Sequence, residues 1–107
     1  MKLSGNGNDT TSATPDSGKE KDTEKEIEKY LNKKVQERKG LSFKWISTIT
    51  GVPDRIIILN KQIHLVELKT ATGVLSERQK LVFKQLEEHG QKVYVIRSKS
   101  DVENFLS

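Results

Sequence analysis

Residues Val66-Glu67-Leu68-Lys69 place a carboxylate and an ammonium two positions apart, at the end of an apolar run that begins at Ile63. On a strand, Glu67 and Lys69 share one face. Burying either charge without compensation is costly, so the pair is either a plain salt bridge or a site that needs both charges. Asp54 tips the balance toward a site. It follows the break Gly51-Val52-Pro53 and opens a second apolar run that ends at Leu59. If Asn60-Lys61 is a two-residue hairpin loop, Leu59 pairs with Gln62 and Asp54 falls directly opposite Glu67 on the same face. A three-residue loop would leave the two acids diagonal. Facing carboxylates repel, and a hard divalent cation such as Mg²⁺ removes the conflict because it prefers oxygen ligands. Lys69, beyond Glu67 on that face, could hold a water or a phosphate oxygen beside the cation.

Other residues could complete the set. Glu24, Glu26 and Glu28 lie in one segment with helical spacing. At 100° per residue, Glu24 lies closest to the stripe of Ile27, Leu31 and Val35, Glu28 is further off, and Glu26 faces away. The competing role for Glu24 is that of a first-turn acid favoured by the helix dipole. Gln79 has a capping role available with Ser76, yet it also aligns with Val82, Phe83 and Leu86 on an inward stripe. His64 has the opposite parity to Glu67 and reads as structural or surface. Lys44 lies opposite Trp45, where a solvated role is the commoner one. With Arg55 and Arg78 it is carried as an expected phosphate contact.

The elements that must position these groups can be read along the chain. Thr23 and Glu26 form a capping box that opens a helix to about Lys39, with Gly40 as its stop. Leu41 to Thr48 alternates and reads as a strand, with Leu41, Phe43 and Trp45 on one face. Asp54–Leu59 and Gln62–Lys69 are two further strands. Ser76 with Gln79 opens a second helix to about His89, ended by Gly90. Lys92–Arg97 is a fourth strand, and Ser100 with Glu103 opens a short terminal helix. Ile56-Ile57-Ile58 is apolar on both parities, so the sheet is expected to be covered on both faces. The order is α-β-β-β-α-β-α: an antiparallel meander, then a crossover that makes the last two strands parallel.

Composition narrows the class. The 107 residues contain no cysteine, which excludes disulfides and thiolate metal sites and suits a reducing compartment. No stretch is long enough to span a membrane and no signal-peptide region is seen, so a cytoplasmic protein is expected. Residues 1–22 are Ser, Thr, Gly, Asn and Asp with almost nothing apolar, and are expected to be a flexible polar tail before one domain over 23–107. Residues 24–107 carry 16 Lys/Arg against 11 Asp/Glu. A basic body suits a polyanion, although many ordinary domains have this charge.

Pro53-Asp54 followed by Glu67-Leu68-Lys69 resembles the PD-(D/E)xK nuclease signature. The wider series "EKEIEKYL", "FKW", "GVPDRIIIL", "VELKTATGVLSERQ", "LEEHGQKVYVI" and "DVENFL" resembles the VRR-NUC family of that superfamily over about residues 24–106. The resemblance implies a restriction-endonuclease-like α/β fold: an α-β-β-β-α-β core with a mixed sheet flanked by helices, plus the short terminal helix. It also implies a Mg²⁺- or Mn²⁺-dependent phosphodiesterase acting on DNA, in a bacterial host cell or phage-encoded. By motif position, Asp54, Glu67, the Leu68 carbonyl and Glu24 (or Glu28) would hold the metal. Lys69 would position the attacking water, and Gln79 matches a glutamine after the core motif.

A folded body of about 85 residues is close to the size at which one core is marginal. Apolar surface around Trp45, Phe43 or Phe105-Leu106 is therefore expected to pair with a second copy, and the two-fold dimer to act on branched DNA, a four-way junction foremost. The alternatives are a monomer that nicks flaps or duplex, and a DNA-binding or assembly module that keeps the fold with little or no catalysis.

Overall fold

A computed structural model describes residues 21–107. The expected tail, 1–22, lies outside the described residues except for its last two positions. Helix α1 spans Glu24–Glu37 and carries both halves of the Thr23/Glu26 capping box. Strands β1 (Leu41–Lys44), β2 (Arg55–Leu59) and β3 (Gln62–Leu68) follow, then α2 (Glu77–Glu88), β4 (Val93–Ile96) and α3 (Lys99–Leu106). The sheet order is β1-β2-β3-β4, with the first two pairings antiparallel and the last parallel. Among the described residues, no helix is long and apolar enough to cross a membrane.

Two boundaries differ from the sequence reading. The α1 helix stops at Glu37, and its left-handed residue is Lys39 (φ 61°) rather than Gly40. Lys39 N–H bonds the Gln36 carbonyl and Gly40 N–H bonds the Val35 carbonyl, the double closure of a Schellman motif. Glycine is required at position 40 for space instead. A Cβ there would lie 2.5 Å from Leu59 Cδ2 and 2.7 Å from the Ile58 carbonyl oxygen. The cap of α3 is Ser98, whose side chain accepts from Asp101 N–H, and not Ser100 with Glu103. The Glu103 carboxylate is used elsewhere, by the Tyr30 hydroxyl and Lys34.

The two faces of the sheet are covered unequally. On one face Ile57, Val66, Leu68 and Ile96 pack with Ile27, Leu31 and Val35 of α1 and Val102 of α3 into the main core. His64 sits edge-on to Tyr94 and Phe105 in the same layer, the structural role its parity suggested. Among the described residues, the other face receives only α2, which packs against β4 through its buried Val82 and Phe83 side. The β1 side of that face is left open, with Leu41 53% and Phe43 51% exposed and Ile63 64% exposed nearby. Full coverage of both faces is therefore not observed. Strand β1 also ends at Lys44, four residues short of the alternating pattern. Trp45 continues only as a backbone partner, its N–H bonding the Asp54 carbonyl at 2.7 Å.

The close approach at position 40 generates a stability test. Gly40→Ala is expected to destabilise the domain by about 1–3 kcal/mol, because the Ile58 carbonyl belongs to a paired strand and cannot give way cheaply. Urea unfolding of the two proteins measures it.

Candidate active site

The hairpin between β2 and β3 sets the geometry of the acids. Asn60 and Lys61 both have positive φ, 51° and 67°, as a primed two-residue turn requires. Leu59 accordingly pairs with Gln62, and the register runs unbroken to Arg55 opposite Val66. The next pair along is Asp54 and Glu67, the arrangement expected for a two-residue loop. Asp54 is fixed at both ends: its backbone carbonyl accepts from Trp45 N–H, and its Oδ2 accepts from Leu68 N–H at 3.0 Å. That side-chain bond takes the place of the next ladder rung, at the point where the two strands would otherwise part.

Glu67 is 2% exposed, an unusual location for a carboxylate. Gln79 Nε2 donates to its Oε2 at 2.9 Å, and Lys69 Nζ lies 3.7 Å from the same oxygen. Among the described residues, Oε1 is buried with no hydrogen-bond partner. Burial, and then the neighbouring Asp54 charge, push the Glu67 carboxyl up to about 7, while Lys69 and Gln79 pull in the opposite direction. A carboxylate held in this way has one oxygen supported by the protein and one left for a ligand.

Gln79 serves both roles weighed from the sequence. Its Oε1 accepts from Ser76 N–H at 2.9 Å and closes the capping box of α2, while its Nε2 reaches Glu67. One amide thus couples the start of α2 to the buried acid. Arg97 performs a comparable task that the sequence did not reveal. Its Nη1 donates to the Thr70 carbonyl at 2.9 Å and the Gly73 carbonyl at 2.6 Å, clamping the loop that follows Lys69. A terminal arginine on a strand carries no local signal for such a role, since both acceptors are backbone carbonyls from a distant segment.

A cleft beside Asp54 is lined by Glu24, Lys25, Glu28, Lys44, Arg55 and Leu68 as well. Both candidate acids of α1 therefore reach its wall. Glu24 is exposed, and Glu28 is half-buried and ion-paired with Arg55. Among the described residues, no group of three His, Cys, Asp or Glu side chains comes together to hold a metal. The donors present are the Asp54 and Glu67 carboxylates, with Leu68 beside them, and the unpartnered, buried Glu67 oxygen fits a hard cation.

The three expected DNA contacts separate. Lys44 is exposed on the cleft wall. Arg78 is exposed, and its Nε bonds the Thr50 carbonyl at 3.2 Å, holding the loop that leads into Pro53-Asp54. Arg55 corrects the expectation. It is 7% exposed, paired with Glu28 and bonded to Ser42 Oγ at 3.0 Å, so its guanidinium is spent inside the fold and not open to a phosphate.

Comparison with known proteins agrees with this architecture. A family model described as VRR-NUC domain matches residues 4–100. A solved structure described as a VRR_NUC domain is similar over 78% of this chain and 92% of that one, with a TM-score of 0.72 and 24% identity. At that identity it shows the fold, which is restriction-endonuclease-like. No curated protein matches the chain.

The Glu67 environment has a consequence for stability in the metal-free protein. Its folded-state carboxyl titrates at about 7 against an ordinary 4.5. Between those values the folded chain holds a proton that the unfolded chain has released, so stability falls as pH rises through the window. In EDTA, unfolding free energy is expected to drop by on the order of 1–3 kcal/mol from pH 4.5 to pH 7.5 through this group. Glu67→Gln is expected to flatten that part of the profile and to be the more stable protein at pH 8, read by urea titration across pH.

Proposed function

The chain belongs to the VRR-NUC family of nuclease domains, and on that premise we propose that it is a metal-dependent endonuclease acting on DNA. The observation that carries the reading is the buried Glu67 carboxylate, opposed by Asp54 and left with an unpartnered oxygen. In a protein selected for stability alone, two apposed acids at a sheet end would be replaced by a neutral pair. A non-catalytic module that keeps the fold has no need of them.

Asp54, Glu67 and the Leu68 carbonyl, with a carboxylate of α1, would hold Mg²⁺ or Mn²⁺. Glu24 is the better α1 candidate, since Glu28 is tied to Arg55. When bound, such an ion lowers the pKa of water and offsets charge on the scissile phosphate. The chain's own groups do the rest. Lys69 supplies a fixed positive charge that orients the attacking water or a phosphate oxygen. Gln79 holds Glu67 in one rotamer, and the Leu68 N–H holds Asp54 in another, so neither acid reorganises when substrate arrives. The Lys44 and Lys25 side chains on the cleft wall favour the DNA backbone without regard to sequence.

The finer reading is a homodimer that acts on branched DNA, four-way junctions foremost, in the cytoplasm of a bacterial cell or as a phage product. Its support is the uncovered part of the sheet around Leu41, Phe43 and Ile63, an apolar area that a second copy would cover. Of the surfaces expected from the sequence, Phe43 belongs to this patch, whereas Phe105 and Leu106 pack against the protein's own core. A two-fold pair presents two symmetry-related clefts, matching the approximate symmetry of a junction. Light scattering, run with a comparison of junction, flap and duplex cleavage in Mg²⁺ or Mn²⁺, tests it. A monomeric mass at micromolar concentration without junction preference would favour a monomeric nickase.

Two substitutions test the site itself. Asp54→Asn keeps an acceptor for the Leu68 N–H and removes one of the two opposed charges. Cleavage is expected to fall by about two orders of magnitude or more, while the melting temperature in EDTA holds or rises. Lys69→Ala is expected to lose cleavage to a similar extent with the fold intact by circular dichroism. Parental cleavage by Asp54→Asn would exclude the assigned metal ligands.

A further inference from the structure

We infer that the outer face of α1, together with the start of α3, is a second DNA-backbone contact, a basic track that leads away from the cleft. This rests on the nuclease reading and assigns where the DNA runs. Lys25, Lys29 and Lys33 stand four residues apart on α1 and are all exposed. Four-residue steps keep them on one face, with about 6 Å of rise between neighbours. On a helical wheel that face lies opposite the buried stripe of Ile27, Leu31 and Val35. Lys25 lines the cleft that holds Asp54. Lys29, Lys33 and Lys99 line a separate depression with Tyr30 and Glu26. The positive charge therefore begins at the candidate active site and continues along the helix.

Most acids near this track have partners of their own, Glu24 on the cleft wall excepted. Glu26 accepts from Thr23 N–H in the capping box, which holds its carboxyl below the usual range, and Lys99 adds to that lowering. Asp22 accepts from Lys99 N–H. Glu103 takes the Tyr30 hydroxyl and Lys34, and Lys34 also meets Glu37. Among the described residues, Lys25, Lys29 and Lys33 have no ion-pair partner on the protein. Tyr30 adds an aromatic face beneath the Lys99 ammonium, 5.8 Å from the ring centre. Exposed lysines on a helix are commonly no more than solvated surface. Here their continuity with the cleft, and the lack of an ion-pair partner for Lys25, Lys29 and Lys33 among the described residues, fit them to a row of phosphates on a polyanion.

The test uses salt dependence, which counts phosphates neutralised. Lys25 is left intact because it belongs to the cleft. Full-length parent is compared with Lys29→Ala/Lys33→Ala/Lys99→Ala, and with Lys80→Ala/Lys84→Ala/Lys92→Ala as a control of equal charge change. Binding of a 30-base-pair duplex and of a four-way junction is followed by fluorescence anisotropy in Ca²⁺ at several salt concentrations. For the track variant, the slope of log affinity against log salt is expected to shrink by about 2–3, since each phosphate contact contributes about 0.9. In Mg²⁺ or Mn²⁺ its KM is expected to rise while kcat stays near the parental value, and the control is expected to keep the parental slope. A parental slope in the track variant, or equal losses in both variants, would overturn the track. A parent that neither binds nor cuts DNA would overturn the nuclease reading as well, so the two failures are distinguishable.

Discussion

A carboxylate buried to 2% exposure is the constraint around which the rest of this domain is organised. Taking such a group out of water is tolerated only when hydrogen bonds and an opposite charge meet it inside. Gln79 and Lys69 do so from two different elements, and both engage the same oxygen. The β3 strand, the loop after it and the first turn of α2 therefore have to be registered together. Arg97 contributes by fixing the carbonyls of Thr70 and Gly73, so the loop has little freedom to carry Lys69 away. Burial first, and then the Asp54 charge, push the Glu67 carboxyl up to about 7, against the opposing pull of Lys69 and Gln79. The site thus keeps two acids close together, with one Glu67 oxygen unpartnered among the described residues.

The same end of the sheet gathers the connections that matter. The β1–β2 loop, the end of β3 and the N-terminus of α1 all arrive there, and the positively charged side chains of α1 begin there too. The far end of the β2–β3 hairpin is a tight turn with two residues at positive φ, one of them a lysine. A lysine in that region costs about 1–2 kcal/mol relative to a favoured conformation. The turn nonetheless fixes a register in which Asp54 and Glu67 meet, and a slip of one residue would send them to opposite faces. Among the described residues, unequal coverage of the sheet follows from having three helices, two of which share one face and leave the β1 side of the other open.

Much of this was legible along the chain because it rests on local rules. Capping boxes at Thr23/Glu26 and Ser76/Gln79 depend on residues three apart and appear where the pattern put them. The α-β-β-β-α-β-α order, the meander and the parallel crossover follow from periodicity and connection lengths. The opposition of Asp54 and Glu67 required only a turn length and an alternation of faces. The failures were local rules with two competing candidates. Ser98 took the cap that Ser100 and Glu103 were expected to form, because the Glu103 carboxylate was engaged by Tyr30 and Lys34 of the neighbouring helix α1. Lys39 took the left-handed position because Gly40 was needed against Leu59 and the Ile58 carbonyl.

By itself, then, the sequence determined the elements, their order, the register of the central hairpin and the family to which the chain belongs. Each of these is written in spacings of a few residues or in a motif. Tertiary structure alone decided which charges are free. Arg55 and Lys44 are neighbours across β1 and β2, yet one is sealed against Glu28 and Ser42 while the other stays on the cleft wall. Nothing in their local sequence separates them. The difference is the position of α1 over the sheet, which brings a carboxylate from 27 residues away to one guanidinium. Burial, and with it the strength of every electrostatic interaction at the site, is a property of such distant packing and not of spacing.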